Sequence, residues 1–493
     1  GFRAGGGAGS VVKGNGISLI DSATGDLQEV LGVPLLSSST SESFKCLTWD
    51  DRQPPGDLFI AIRGTVHDGA ASIPKMLEQG VRGIVSEIEP PSHPPKNLTW
   101  WQVENSREAF ARLVHHAYGE PASRISVFGI TGTNGKSSTV HLLASILNVA
   151  GRDPGWVTTV DQKIAGTLRE SSCTTPSADQ LALSLRDHAD SGGQSLVLEI
   201  SSHAIHQHRI TGIPLVSAAV TQFGRDHLDY HGTVDEYHAV KKELRHQVKD
   251  GGVFLLPDHV DRDTVAFEDL FTGRRWTGKV LQQSAKGMQA FLQGADWEFE
   301  LNWNRPARHD LSNALCAAVL ADSAGVSVAD IQEGLESAKS VPGRMEEVSP
   351  GVFVDYAHTP DALESALKVC RQICRGELRV LFGCGGDRDQ GKRSQMGKVA
   401  ATHADAIFLT DDNPRSEPSD QILQQILGGV GDHPRVEKNS DRRQAIGAAL
   451  QQLREEDILL IAGKGHETIQ EIRGEKFPFD DREVVRDWLG VTT

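Results

Sequence analysis

The sequence predicts an α/β protein of three units, and three observations carry that prediction. At 493 residues the chain exceeds one ordinary core, and roughly 150 residues per domain gives about three. Residues 125–147, ISVFGITGTNGKSSTVHLLASIL, read as a short apolar strand, a glycine-rich loop and a helix. After Pro342-Gly343, three apolar runs at 378–382, 406–409 and 457–462 each stop at a polar motif, with helical segments between. That is the pattern of a doubly wound sheet.

Composition narrows the function. Hydrophobic residues at 38% and charged residues at 24% suit a soluble globular chain, and no run approaches the roughly 18–20 apolar residues of a membrane span. No membrane insertion is therefore expected. A formal charge of −16 excludes a general binder of nucleic acid or anionic membrane, because those polyanions are held by basic patches. An anionic substrate would have to be met by local arginines and lysines. The six cysteines are scattered; only Cys370 and Cys374 are close, on one helix face, and all are read as reduced thiols. No secretory signal is visible, so the expected compartment is the cytoplasm. Residues 1–16, opening GFRAGGGAGS, are read as flexible.

From about 17 to 121 the chain carries its own short strands and helices, including GDLFIAI at 56–62 and GVRGIVSE at 80–87. This is a small separate α/β unit. Asp50-Asp51-Arg52 precede a Pro-Pro-Gly turn, and the loop Arg63 to Gly69 follows a strand; both read as polar loops. The proline-rich stretch 89–95 and Pro121 set the boundary, giving units 1–121, 122–341 and 342–493. In the middle unit hydrophobic strands alternate with helical segments, which implies a parallel sheet flanked by helices.

The glycine-rich loop is the first chemical candidate. Gly129, Gly132 and Gly135 break the strand, and free backbone N–H groups with a helix N-terminus can cradle a polyphosphate. Lys136 would reach the β- and γ-phosphates, and the Ser137 hydroxyl would meet a magnesium ion. Counted from Gly129, the loop is one residue longer than the common phosphate-loop pattern. The run 195–199 ends in Glu199, a carboxylate placed for magnesium. Arg225-Asp226-His227-Leu228-Asp229-Tyr230-His231 follows, then Tyr237 and Lys241; without cysteine, these favour a magnesium shell over a transition metal. Lys241 taken alone reads as a surface helix residue, since a charged lysine is a poor cation ligand.

Beyond the second boundary the strand 352–355 ends in Asp355, followed by Tyr356 and His358, as a nucleotide held between two units would require. Asn313, on a helix starting near Asp310, reads either as an adenine contact or as an exposed or capping residue. In the last unit the three strand ends would converge and bring Arg388 and Arg415 to Asp412 and Glu467. Guanidinium groups grip carboxylates and acids hold ammonium, so this is a site for a zwitterion.

Taken together the segments GITGTNGKSS, TTP at 174–176, EISSHAIHQHR, RDHLDYHG, VPGR at 341–344, DYAHTPDAL, GCGGDRDQGKR, DDNPR, AGKGHE and FDDRE resemble the Mur ligase family, ATP-dependent amide-bond ligases of peptidoglycan precursor synthesis. The resemblance spans about 46–483 and is strongest to the type that adds the third amino acid to UDP-N-acetylmuramoyl-L-alanyl-D-glutamate. It implies an N-terminal domain for the UDP moiety, a central ATPase of phosphate-loop type and a C-terminal Rossmann-like domain for the incoming amino acid. It also implies carbamylation of Lys241, which would make it an anionic oxygen donor. Glu199, His227, modified Lys241 and Ser137 then supply the Mg2+ ligands.

By the same resemblance Gly132, Thr133, Asn134, Gly135, Lys136, Ser137, Ser138, Asn313, Arg344 and Asp355 bind ATP. Thr174, Thr175, Ser202, Gln207 and Arg209 contact the muramoyl-dipeptide. His358 belongs to the interdomain active site. DNPR is associated in the family with meso-diaminopimelate, for which Arg388, Asp412, Asn413, Pro414, Arg415, Gly463 and Glu467 form the implied pocket. Arg415 offers the distal carboxylate a charge-assisted fork. The expected protein is a monomer whose partners are these small molecules and not nucleic acid. The alternatives are L-lysine as acceptor, or a silent homologue, which should have lost Lys136, Glu199 or Lys241; all three are present.

Overall fold

In a computed structural model the apolar runs fold into three large sheets and one hairpin. The structure describes residues 17–37, 43–64, 67–95, 97–171, 173–259, 263–284, 287–303, 305, 308–339 and 341–490. The flexible stretch expected at 1–16 and part of the loop after Arg63 lie outside them. Among the described residues no helix is long and apolar enough to cross a membrane.

The first sheet has the spatial order Ile17–Ala23, Ser43–Thr48, Leu58–Ile60, Gly83–Ser86, Thr99–Gln102, Leu35–Ser37. Its middle strands are parallel. Helix Ser106–Ala117 closes one face with Ala109, Phe110, Leu113 and Val114.

The middle sheet has eleven strands. Pro154–Val157, Ser195–Glu199, Ser126–Thr131, Ser217–Val220 and Phe254–His259 form a parallel core. Ser195–Glu199 is buried along its whole length, as expected of a strand covered on both faces. The expected parallel sheet is present, and Thr264–Asp269, Arg275–Ser284, Gly287–Gln293 and Glu298–Trp303 extend it as an antiparallel meander that the sequence reading did not include. Glu298–Trp303 alternates exposed and buried, the period of a sheet with one wet face. Helices Lys136–Val149, Arg308–Ser323 and Val328–Glu336 fill the other face with Val140, Leu143, Leu315 and Leu335.

A correction concerns Gly129, which does not break its strand. It pairs with Leu198 and Ala218 in mid-sheet, and a Cβ there would stand 2.6 Å from Leu215 Cδ1. The loop therefore starts only after Thr131, and the extra residue in the phosphate-loop count belongs to the strand.

The last sheet runs Glu346–Ser349, Val352–Asp355, Ile458–Ala462, Leu378–Phe382, Ala406–Leu409, Val436–Lys438. All but the first are parallel, so the three polar motifs leave one edge of the sheet together, as expected. All six cysteines are free.

Candidate active site

The strand Ser126–Thr131 delivers the chain to Gly132 and Gly135, with φ of 144° and 83°. A Cβ on Gly132 would lie 2.0 Å from Thr221 Oγ1, and one on Gly135 would lie 2.3 Å from Asn313 Oδ1. Both positions need glycine for backbone and for space. The loop is held by the end of the neighbouring strand: Thr221 Oγ1 donates to Asn134 O at 2.6 Å, Thr133 N to Gln222 O at 2.9 Å. Lys136 opens the following helix and folds its Nζ back to the carbonyls of Gly132 and Thr133, both at 3.1 Å. Ser138, two residues further along the same first turn, lines a cavity together with the loop.

Glu199 stands where its strand ends and is buried. Its carboxylate accepts Ser137 Oγ at 2.7 Å, Thr159 N at 2.9 Å and Thr159 Oγ1 at 2.8 Å. Thr159 Oγ1, its proton on Glu199, lies 3.0 Å from Thr174 Oγ1 and accepts from it. Thr175 Oγ1 donates to Glu199 O at 2.9 Å, and Arg209 donates to Thr175 O at 2.8 Å and to Gln207 Oε1 at 2.7 Å. Gln207 in turn reaches Tyr230, and Ser202 pairs with His231. The residues that the sequence assigns to a dipeptide thus lie on one hydrogen-bonded shelf beside Glu199.

Lys241 is not the surface residue its helix position suggests. It is 1% exposed, with Nζ 3.4 Å from the centre of the Tyr237 ring. Burial, then the nearby charge of Lys136, pushes its pKa down to about 6, against the pull of Asp226. The free amine is therefore the neutral form at pH 7. His227 sits at φ 53° with its imidazole 44% exposed and 3.5 Å from Asp226. Among the described residues no three His, Cys, Asp or Glu side chains stand close enough to hold a metal ion. The donors that do meet, the Glu199 carboxylate and the Ser137 hydroxyl, are the oxygen type that magnesium takes.

The second and third sheets share a cavity of about 1380 Å³ whose walls include Lys136, Asn313, Arg344, Asp355 and His358. Arg344 reaches Ser137 Oγ at 3.3 Å and lies over the Tyr356 ring at 4.7 Å. Asp355 accepts from Met345 N at 2.7 Å and Ala357 N at 2.8 Å, while burial raises its pKa. His358 is pinned through Nδ1 to Tyr356 O at 2.8 Å. Burial, then Lys392, lowers its pKa to about 4, so the ring is neutral at pH 7. Asn313 is buried against Gly135, which corrects the exposed or capping alternative. Its Nδ2 and Arg344 Nε are buried without partners.

In the third sheet Asp412 and Asn413 are buried at a strand end. Asn413 donates to Glu467 Oε2 at 2.8 Å, and the fully buried Lys464 ammonium reaches Glu467 Oε2 at 2.9 Å and Asn413 Oδ1 at 3.3 Å. Arg415 donates to Gly386 O at 2.7 Å. A Cβ on Gly385 would lie 3.0 Å from Arg415 Nη1 and 3.6 Å from Arg388 Cγ, so both predicted arginines flank this glycine. Gly386 leaves room for Pro414 O, and Gly463, at φ 112°, for Asp412 Oδ2. Arg442 pairs twice with Asp481 at 2.7 Å and donates to Asp411 O and Ala462 O at 3.2 and 3.0 Å. That buried guanidinium ties two of the strand ends together. Arg393 similarly joins Gly385 O to Glu417.

Sequence reasoning missed Thr159 and Lys464 as supporting residues. Lys464 lay in the quoted AGKGHE segment, and its charge in an apolar strand-end setting was the available signal. Thr159 had none, because only folding brings it to Glu199.

A glycine loop opening a helix, a buried acid at the adjacent strand end and a second sheet walling the same cavity define a phosphate-binding enzyme that divides its site between two sheets. The chain belongs to the Mur ligase family: the Mur ligase middle domain matches residues 130–321 and the Mur ligase glutamate ligase domain residues 343–465. Two curated relatives are UDP-N-acetylmuramoyl-L-alanyl-D-glutamate–2,6-diaminopimelate ligases. That of Aquifex aeolicus is 35% identical over 88% of this chain and 91% of its own. That of Coxiella burnetii is 36% identical over 90% of this chain and 95% of its own. A solved structure of a ligase of that name matches with a TM-score of 0.63 and 26% identity, over 94% of this chain and 98% of its own.

Proposed function

We propose that this protein is the ATP-dependent ligase that joins meso-diaminopimelate to the D-glutamyl γ-carboxylate of UDP-N-acetylmuramoyl-L-alanyl-D-glutamate, in peptidoglycan precursor synthesis. The observation that carries it is the 35–36% identity to ligases of that name over about nine-tenths of the chain. The DNPR loop beside Arg388 supports the acceptor. We assign 1–121 to the UDP moiety, 122–341 to ATP and 342–493 to the amino acid, one large sheet to each. We place it in the cytoplasm, acting as a monomer.

The chemistry follows from the site. Lys136 leaves its carbonyl partners for the β- and γ-phosphates, with the loop N–H groups around them. Asn313 Nδ2 and Arg344 Nε, buried and unpartnered, are the donors left for the nucleotide. The dipeptide lies on the shelf of Thr174, Thr175, Ser202, Gln207 and Arg209. Its γ-carboxylate attacks the γ-phosphate of ATP, releasing ADP and leaving an acyl phosphate. A magnesium ion held by Ser137, Glu199, His227 and carbamylated Lys241 would offset the phosphate charge. The amine of diaminopimelate, oriented from the third sheet, displaces phosphate and forms the amide. The neutral His358 imidazole lines the shared cavity, with Nδ1 held on Tyr356 O.

The test is ATP-dependent phosphate release with the UDP-dipeptide, comparing meso-diaminopimelate with L-lysine. Release with the first alone, with a tripeptide product by mass, is expected. Release with lysine alone overturns the acceptor assignment.

A further inference from the structure

The first and middle units meet along helix Ser106–Ala117, where Ala178 and Ala182 of the middle unit pack into the core of the first. One polar contact of this interface reaches the dipeptide shelf. Asn105 caps the helix, its Oδ1 accepting from Arg107 N at 3.0 Å and Glu108 N at 3.1 Å. Its Nδ2 therefore faces His208 Nε2, 3.0 Å away. An amide nitrogen only donates, so the ring accepts there and keeps its proton on Nδ1, 3.4 Å from Thr211 Oγ1. His208 stands at φ 56° between Gln207 and Arg209, whose side chains bond each other at 2.7 Å on the shelf. The turn thus sends two side chains to the shelf and the third to the first unit.

The capped end also touches the first sheet. Ser106 is fully buried; its N and Oγ donate to Glu87 Oε1 at 2.9 and 2.8 Å, and its Oγ accepts from Arg63 N at 2.9 Å. Arg63 and Glu87 line a cavity of about 600 Å³ beyond the strand ends of that sheet, in the unit assigned above to the UDP moiety. Bonded or adjacent groups therefore run without a break from this cavity through Ser106, Asn105 and His208 to Arg209.

We infer that His208 is a positioning residue: its bond to Asn105 couples occupation of the first-sheet cavity to the placement of Gln207 and Arg209 on the dipeptide shelf. This role rests on the UDP-dipeptide reading above. A substrate that spans both units can then use contacts at its nucleotide end to hold its carboxylate end in place, and the coupling is reciprocal.

The experiment splits the substrate into its two ends. Calorimetry measures the affinity for N-acetylmuramoyl-L-alanyl-D-glutamate, which lacks the UDP group, with and without saturating UDP. In the wild-type chain UDP tightens that binding about threefold to tenfold, the worth of one neutral hydrogen bond. Asn105→Ser keeps a capping oxygen and removes the donor to His208. In it the tightening disappears, while the affinity for UDP alone, the ATP KM and the melting temperature hold. His208→Ala loses the tightening too, and combining it with Asn105→Ser adds nothing further. His208→Gln, whose amide oxygen accepts from Asn105, retains most of it. If UDP does not tighten the wild-type binding, or if the tightening survives Asn105→Ser, the bond merely braces the loop and the inference falls. A wild-type chain that binds neither UDP nor the dipeptide overturns the underlying reading instead.

Discussion

Around the phosphate loop two buried side-chain donors lack partners, whereas in the C-terminal sheet three buried cations each hold an acid. Asn313 Nδ2 and Arg344 Nε have no partner, and the buried Lys241 amine has the Lys136 charge as its main electrostatic neighbour. In the C-terminal sheet, Arg442 holds Asp481, Arg393 holds Glu417, and Lys464 holds Glu467. An unsatisfied buried donor costs free energy until a partner arrives. On the function proposed above, the first region would be completed by its nucleotide, while the second holds its paired charges in place before an amino acid arrives. Rigid positioning suits a pocket that must tell one amino acid from another; unfilled donors suit a site that draws in a polyanion.

Four experiments can break or sharpen this contrast. The largest effect is expected in the prepaired region. Arg442→Met leaves Asp481 buried without its partner, both side chains being 0% exposed, and costs about 3–5 kcal/mol in a denaturant titration. The double change Arg442→Met with Asp481→Leu should recover most of it. Next, Lys136→Ala should lower turnover about a hundredfold to a thousandfold while the melting temperature holds. A matching loss of stability would mean that the loop, like the pocket, is structurally prepaired.

The third is a pH experiment. The Arg393 guanidinium, opposed by burial and helped by the Asp387 N–H, holds the Glu417 carboxyl down from 4.5 to about 2. The unfolded chain binds that proton more tightly, so the stabilisation is complete above about pH 4.5 and is lost as pH falls towards 2. It amounts to about 3 kcal/mol. Acid titration of wild type against Glu417→Gln checks it, since the variant should lack that part of the decline. The smallest effect is Gly135→Ala. It forces φ of 83° on an L-residue and a methyl onto Asn313, costing about 1–3 kcal/mol and weakening ADP binding in calorimetry more than it lowers the melting temperature.

The candidate site was legible to different depths. Gly132, Gly135, Lys136 and Ser137 are neighbours in sequence, so the loop that they build was readable before any fold was known. Glu199, Asp355 and the three C-terminal motifs were readable because strands end where apolar runs end, and ligands gather at those ends. Gly129 misled, since a glycine inside a central strand looks like a glycine after it until Leu215 is seen packed on it. The antiparallel meander from Thr264 to Trp303 was missed because its pairing depends on which face is wet.

Local spacing, then, was enough to specify the strand-loop-helix unit, the strand-end motifs and the family they belong to, because each rests on residues a few positions apart. Burial and pairing across long separations were settled by folding alone. Lys241 lies in a helix of ordinary polar sequence, and only tertiary packing, with Tyr237 against its Nζ, takes its amine out of water. His208 meets Asn105 across 103 positions of chain because helix Ser106–Ala117 docks its capped end on the turn between Gln207 and Arg209, and no local pattern encodes which distant cap a histidine will face.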